Sequence, residues 1–102
     1  MLEDDATLLR RYARDRDEEA FSELVRRHVD LVYAAALRRT NGDTHRAADV
    51  VQIVFVALAR HAASLAGHAM LAGWLHTATR NATLNLLREE TRRRTREQEA
   101  LT

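Results

Sequence analysis

The chain has 102 residues, no cysteine and a formal net charge of only +1, which is typical of one small domain and excludes disulfide bonds and thiolate metal sites. The acidic start of the chain predicts no signal peptide, and the longest apolar run, residues 53–59, is far shorter than the roughly 20 residues that span a bilayer. We therefore predict a cytoplasmic protein without a membrane segment.

Charge is distributed unevenly along the chain. All 16 basic residues are arginine. Residues 1–24 hold eight acids against four arginines, whereas residues 80–96 hold six arginines against two glutamates. Arginine provides permanent, planar donors that suit phosphates and base edges, so the basic end is a candidate for nucleic-acid binding.

The first two predicted helices are amphipathic. One covers residues 5–14, with Asp4 or Asp5 as its N-cap, and the other begins after Asp17 and ends at the Asn41-Gly42 turn. Histidine 28 lies on the apolar stripe of the second helix and is interpreted as a partly buried structural residue. The apolar stripes consist of Leu8, Leu9, Tyr12 and Ala13 in the first helix, and of Phe21, Leu24, Val25, His28, Leu31, Val32, Ala35 and Ala36 in the second.

The third predicted helix, which begins at Asp43 or Thr44 and ends near Ser64, is apolar around most of its circumference. A core face can be formed by Ala47, Val50 or Val51, Val54, Leu58 and Ala62. That choice leaves Asp49, Gln52, Ile53, Val56 and, less clearly, Phe55 on another side. Either the helix is central and surrounded by its neighbours, or its second face docks on another protein.

The fourth predicted helix begins at Leu71 or Gly73 and ends near Arg96. Its expected packing residues are Trp74, Leu75, Ala78, Ala82, Leu84 or Asn85, and Leu86 or Leu87. Beyond Leu87 nearly every residue is charged, which indicates a solvated helix end or the start of a linker. We therefore expect one all-α domain, a compact four-helix bundle over residues 1–96 with an extended basic last helix, and a linker or disordered tail over residues 97–102.

Enzymatic chemistry finds little support in the sequence. No glycine-rich phosphate loop and no cysteine nucleophile occur, and no serine, histidine and acid are brought together by local spacing. His61, His68 and His76 lack the i, i+4 spacing of a helical metal pair. We predict no catalytic residue, no metal site and no cofactor.

Polar side chains in the fourth helix suggest a nucleic-acid surface. Intervals of three or four link a set of residues that consists of Arg80, Asn81, Thr83 or Leu84, Asn85 and Arg88. Arginine and asparagine are suited to phosphate, guanine and adenine contacts. The alternative is an ordinary solvated face, because glutamates interrupt the arginines that follow. Trp74 is either a core anchor or a platform on which an unpaired base stacks.

Four segments together resemble a known family. The segment AADVVQIVFVALAR (residues 47–60) resembles one helix of bacterial sigma factors, and GWLHTATRNA (residues 73–82) resembles their W-L-x-x-I-A-R-N helix. The segments LLRRY (8–12) and FSELVRRH (21–28) match the start of the same module. In this order and spacing they resemble region 2 of the extracytoplasmic-function (ECF) type of sigma-70 factors, over about residues 5–96.

The resemblance implies a function for each surface. The third helix would dock on the clamp helices of the largest subunit of core RNA polymerase through Asp49, Gln52, Ile53 and Val56. The fourth helix would hold the melted non-template strand of the minus-ten promoter element, and the preceding loop would capture an extruded base. Implied DNA-binding residues are Trp74, Arg80, Asn81, Asn85, Arg88 and Arg92, and the implied base-pocket loop contains Leu65, Gly67, His68 and Met70.

Some positions depart from the family pattern. Ala48, Ile53 and Arg46 stand where the family often has acids, so we expect weaker docking on a basic polymerase surface. The helix-turn-helix module that reads the upstream promoter element is not found in this chain, which suggests a fragment of a longer factor or a variant without that anchor. The alternative function is a helical protein-interaction module that binds an anti-sigma factor or forms a homodimer, without binding DNA itself.

Overall fold

The computed structural model describes residues 2–67 and 70–102, and nearly all of them are helical. No strand occurs within these two ranges. The predicted all-α fold of four helices is therefore confirmed. The helices are α1 (Asp5–Asp15), α2 (Glu18–Arg39), α3 (Thr44–Leu65) and α4 (Leu71–Leu101).

Three aspartates begin the first three helices. The Asp4 carboxylate accepts a hydrogen bond from the Thr7 backbone at 2.8 Å, and Asp43 accepts one from the Arg46 backbone at 3.0 Å. Asp17 accepts from two backbone N–H groups at the start of α2. Each carboxylate satisfies N–H groups that have no partner within the helix and also lies at the positive end of the helix dipole. The sequence left Asp4 or Asp5 as the cap of the first helix and Asp43 or Thr44 as the start of the third. The N-caps in the structure are Asp4 and Asp43.

The core lies where α2 and α3 cross between the other helices, because α2 and α3 each pack against α1, against α4 and against each other. Leu24, Val50 and Leu58 are completely buried there. By length and hydropathy α3 could cross a membrane. Its packing against three neighbours instead makes it the core helix of a bundle. Its outer side is not enclosed, because Ile53 and Val56 remain exposed.

Two expectations about apolar residues are wrong. Phe55 was expected on the outer side of α3, but it is buried because α2 packs against that side of the helix. Leu31 was expected in the core, but it is 71% exposed. The small side chains of Ala35 and Ala72 leave a cleft of about 190 Å³ between α2 and α4, and Leu31 lies at its edge.

Only the first half of α4 contributes to the core. The buried apolar residues of this half are Leu71, Leu75 and Ala82. Thr79 and Thr83 are buried beside them, and the sequence analysis did not predict the burial of these two threonines. Their hydroxyls donate to the carbonyls of Leu75 and Thr79 at 2.7 and 2.8 Å, so burial leaves no polar atom without a partner. The expected packing at Leu84 or Asn85 is wrong, because both positions face solvent.

The second half of α4 projects from the bundle. Every residue from 91 to 102 is exposed, and the molecule is 61 Å long but only 24 and 20 Å across. A helix of 31 residues is about 46 Å long, which accounts for most of this length. The expected basic extension is present, and α4 continues through residues 97–101.

Candidate functional site

The predicted polymerase-binding residues of α3 lie together on its outer side. Asp49, Gln52, Ile53 and Val56 are all exposed, and all four line one groove of about 530 Å³. Their spacing of three, one and three residues places them along one line of the helix surface. We call these four residues the α3 ridge.

The α3 ridge is unusual because two large aliphatic side chains remain accessible on the core helix. Ile53 is 46% exposed and Val56 is 47% exposed, while the opposite side of α3 is buried from Ala47 to Leu65. Water around exposed aliphatic groups is released when a partner covers them, and this favours association. The expectation that Ile53 and Val56 avoid complete burial is met.

The same groove includes residues that the sequence analysis did not assign. Arg60 extends the line of the α3 ridge by one turn, and Ala57 lies between. Arg60 could have been found from its spacing of four residues after Val56. Leu86 comes from α4 and closes one side of the groove, which only the packing of α3 on α4 reveals.

Arg46, which was expected to weaken docking, is held by two acids. Its guanidinium group contacts Asp43 at 2.6 Å and Glu90 at 2.5 Å. The hydrogen bond from Arg46 holds the pKa of Glu90 below its ordinary value, and the carboxylates of Glu90 and Asp43 raise the pKa of Arg46. The Arg46 charge is thus balanced locally and also ties the start of α3 to α4.

Four predicted DNA-binding residues form a second line, on α4. Asn81, Asn85, Arg88 and Arg92 are all exposed and follow one another at intervals of four, three and four residues. We call them the α4 stripe. Arg80 is exposed too, but it is rotated by about 100° from Asn81 and flanks the stripe.

The arginines beside and within the stripe differ in their ionic partners. Arg92 pairs with Glu89 at 2.6 Å on the surface of the same helix. Among the described residues, Arg80 and Arg88 form no salt bridge. Those two guanidinium groups can accept a phosphate without first releasing a carboxylate, whereas Arg92 has to exchange one anion for another.

Trp74 lies where α4 begins. It is partly buried against the core, and its ring centre is 5.9 Å from that of His61 on α3. Trp74 therefore anchors the start of α4, as the core interpretation predicted. One part of the ring remains accessible, so a stacking role stays a prediction.

The predicted base-pocket loop is described only in part. Leu65 is the last residue of α3 and is buried, so it supports the loop from the core and does not form its exposed surface. Gly67 is exposed, and Met70, which precedes α4, is 72% exposed. His68 lies outside the described residues. The pocket itself therefore remains a prediction.

Within residues 2–67 and 70–102, no three histidine, aspartate or glutamate side chains are grouped to hold a metal ion. The His28 side chain is largely buried, and its Nε2 atom shares a hydrogen bond of 2.8 Å with the Asp5 carboxylate. This contact joins α2 to α1. It has the structural role expected of it.

Comparison with protein families adds the decisive observation. A family model described as Sigma-70 region 2 matches residues 24–93. The chain belongs to the sigma-70 region 2 family. Neither a curated protein nor a solved structure matches it.

The match covers both candidate surfaces. It includes all of α3 with its ridge, the loop before α4, and α4 as far as Arg93. Region 2 of sigma-70 factors is a transcription initiation domain and not an enzyme, and membership in the family implies binding to core RNA polymerase and promoter DNA. The all-α fold class and membership in the sigma-70 region 2 family, both expected from the sequence, are thus confirmed, whereas the ECF type stays a prediction.

Proposed function

We propose that this sigma-70 region 2 domain docks on the clamp helices of core RNA polymerase through the α3 ridge. We further propose that α4 holds the melted non-template strand of the minus-ten element, as in ECF factors, and that the chain acts in the cytoplasm. The observation that carries the proposal is the separation of the two surfaces. The α3 ridge, with its exposed aliphatic residues Ile53 and Val56, and the amide and guanidinium groups of the α4 stripe lie on two different helices of one bundle.

The chemistry of the α4 stripe supports a single strand as the DNA ligand. Asn81 and Asn85 present amide groups that can bond to base edges, while Arg88 and Arg92 can neutralise phosphates. In a melted strand the base edges and faces are accessible, and the accessible part of Trp74 offers a surface on which a base can stack. Extrusion of a base costs a few kcal/mol, which these contacts together must exceed.

A binding experiment tests the DNA assignment. The chain is first used to select from single-stranded oligonucleotides with a random central segment. Fluorescence anisotropy then compares the enriched sequence as a single strand and as a duplex. We expect about tenfold tighter binding of the single strand, equivalent to about 1.4 kcal/mol. Equal affinity for both forms, or binding of neither, would contradict the proposal.

Matched alanine variants assign the DNA contact to the stripe. Arg88→Ala should weaken binding of all single strands, whereas Asn81→Ala should reduce the preference for the selected sequence. Arg14→Ala is the control, because Arg14 is exposed on α1, outside the stripe. Loss of affinity in Arg14→Ala equal to that in Arg88→Ala would show that binding depends on charge alone.

A second function is favoured by the exposure of Ile53 and Val56. The same aliphatic groups would suit an anti-sigma factor or a second copy of the chain, each of which would compete with the polymerase for the α3 ridge. Light scattering of the unaltered chain and of Gln52→Ala, each without a partner, measures self-association. It therefore distinguishes a second copy of the chain from other partners of the α3 ridge. If Gln52→Ala abolished self-association but left polymerase capture intact, the ridge would be a dimer interface.

A further inference from the structure

The cleft between α2 and α4 belongs to neither of the two proposed binding surfaces. It has a volume of about 190 Å³, and its lining residues come from these two helices. The small side chains of Ala35 and Ala72 leave this space between the helices. At about 100° per residue, Ala72 is rotated by half a turn from Asn81 of the α4 stripe, so the cleft and the stripe lie on opposite sides of α4.

We propose that this cleft binds a small amphiphilic anion, which consists of a short alkyl chain with a carboxylate or phosphate head. The volume of the cleft sets the length of the chain. A closed apolar cavity of about 150 Å³ holds one six-carbon ring, so this cleft accepts about six to eight carbon atoms. The chain lies on the floor of the cleft, and the head lies at its rim.

The floor of the cleft is apolar because its polar groups already have partners. Val32 and Leu75 are buried there. The Thr79 hydroxyl, also buried, donates to the Leu75 carbonyl at 2.7 Å. His28 lines the cleft as well, and its Nε2 atom is engaged with the Asp5 carboxylate. A floor of this kind favours the burial of an alkyl chain and disfavours the burial of a polar group.

The rim of the cleft carries basic side chains. Arg38 of α2 and His76 of α4 are exposed and line the cleft, and neither aspartate nor glutamate is among its described lining residues. Within residues 2–67 and 70–102, Arg38 forms no salt bridge. Its guanidinium group can therefore donate two parallel hydrogen bonds to a carboxylate or phosphate without first releasing an acid. Charge complementarity thus selects an anionic head.

The extent of the apolar surface favours a small ligand over a protein partner. Leu31, which is 71% exposed, lies at the edge of the cleft. The exposed residues that adjoin the lining positions along the chain are polar or charged, namely Asp30, Arg39, Thr77 and Arg80. A stable protein interface buries about 800 Å² on each partner, far more than one cleft of this size provides. An alkyl chain, in contrast, needs only the floor and the Leu31 side chain.

A nuclear magnetic resonance titration of the whole chain tests the proposal. The probes are octanoate and octyl phosphate, both kept below the concentration at which they form micelles, with octylammonium and acetate for comparison. We expect at least one octyl anion to shift the methyl signals of Leu31, Val32 and Leu75 with a Kd of about 1 mM or lower. Octylammonium should bind at least about fivefold more weakly, and acetate should leave these signals unchanged.

Two variants and two matched controls locate the site. Ala72→Leu fills the cleft from α4, and Arg38→Gln removes the partner of the head; both positions are exposed, so the core is unaltered. Each change should weaken binding of the octyl anion by about fivefold or more. Ala63→Leu on α3 and Arg39→Gln beside the cleft are also at exposed positions and should bind within about twofold of the unaltered chain. Circular dichroism checks folding, and Arg38→Gln decides the outcome if Ala72→Leu is unfolded.

Several results would overturn the proposal. If no octyl probe shifts the three methyl signals, or if folded Ala72→Leu binds as well as the unaltered chain, the cleft is not the site. Equal affinity for octanoate, octyl phosphate and octylammonium, or equal losses in Arg38→Gln and Arg39→Gln, would exclude recognition of the anionic head. Acetate that binds as tightly as octanoate would indicate an adventitious ion only. Polymerase and DNA binding are measured separately, because no residue of the α3 ridge or the α4 stripe lines the cleft.

Discussion

At the scale of single residues, the turn between α2 and α3 depends on backbone conformation. Gly42 has φ of +81°, and its N–H donates to the Leu37 carbonyl at 2.8 Å, which closes the end of α2. A side chain at this position would be strained even though nothing lies within 4 Å of an added Cβ atom. Strain of the backbone, and not collision, therefore determines the choice of glycine here.

We predict opposite effects for the same substitution at two glycines. Gly42→Ala should lower the free energy of unfolding by about 1 kcal/mol. Gly73→Ala should raise it by up to about 1 kcal/mol, because Gly73 is within α4, where alanine favours the helix. Urea unfolding followed by circular dichroism measures both. A loss of stability in Gly73→Ala as large as that in Gly42→Ala would contradict this explanation.

The outer side of α3 shows what periodicity predicts about single residues. The spacing correctly separated Ile53 and Val56 from the core face that contains Val50, Val54 and Leu58. It failed for Phe55, which lies between those two faces. A residue at the boundary of a helical face is buried or exposed according to where the neighbouring helix packs, and the sequence of α3 alone does not contain that information.

At the scale of helices, the contact of Arg46 with Glu90 links the beginning of α3 to α4 at the point where α4 leaves the bundle. The Glu90 side chain is only 18% exposed, whereas all residues from 91 onward are exposed. This pair is thus placed to fix the direction in which the basic half of α4 projects. The sequence analysis interpreted the Arg46 charge as unfavourable for docking, because the family often has an acid at this position. It did not find the partner Glu90, because that residue is 44 positions away along the chain.

We predict that this link weakens in acid. Because the pKa of Glu90 is lowered from its usual value of 4.5 by Arg46, the folded state binds a proton at Glu90 less tightly than the unfolded chain does. The stabilisation is therefore complete above about pH 4.5 and is lost as the pH falls below that value. Thermal unfolding of the unaltered chain and of Glu90→Gln should differ at pH 7 and converge as the pH falls through the lowered pKa of Glu90.

Glu89→Gln provides the control for this prediction. Glu89 is the neighbouring acid and is 61% exposed, and within the part of the chain that the structure describes it pairs only with Arg92, one turn away on α4. Such surface pairs contribute little, so Glu89→Gln should melt close to the unaltered chain at every pH. Asp17 and Asp43, whose pKa values are lowered as well, keep part of the acid sensitivity in all variants. A difference between Glu90→Gln and the unaltered chain that persists unchanged as the pH falls through the lowered pKa of Glu90 would refute the assignment.

At the scale of the whole molecule, charge is separated along the chain. The net charge of +1 is the sum of an acidic region, which comprises α1 and the start of α2, and of a basic half of α4 that extends from the bundle. These two regions can therefore interact with partners of opposite charge. Attraction to DNA should depend on the arginines of α4 and not on the net charge of the chain.

Salt dependence tests this separation. If Arg93 and Arg94 contact phosphates, the double change to glutamine should reduce the slope of log affinity against log salt by about 1.4, since each contact to a single strand contributes about 0.7. Glutamine at Arg10 and Arg14, also exposed, should leave the slope unchanged. Anisotropy titrations over a range of sodium chloride concentrations measure both slopes. Equal slopes for the two double variants would place the contact elsewhere.

By itself, the sequence determined the four helices, the Asp17 cap of α2 and the sigma-70 region 2 family, and it predicted the two candidate surfaces. These features follow from local physics, because caps, helical periodicity and motif spacing are encoded within a few turns of chain. Only the tertiary structure decided that Leu86 borders the α3 ridge, that Glu90 pairs with Arg46, and that residues of α2 and α3 line a common groove. Each of these joins residues of different helices, and the way in which helices pack depends on the shapes of all contacting side chains at once.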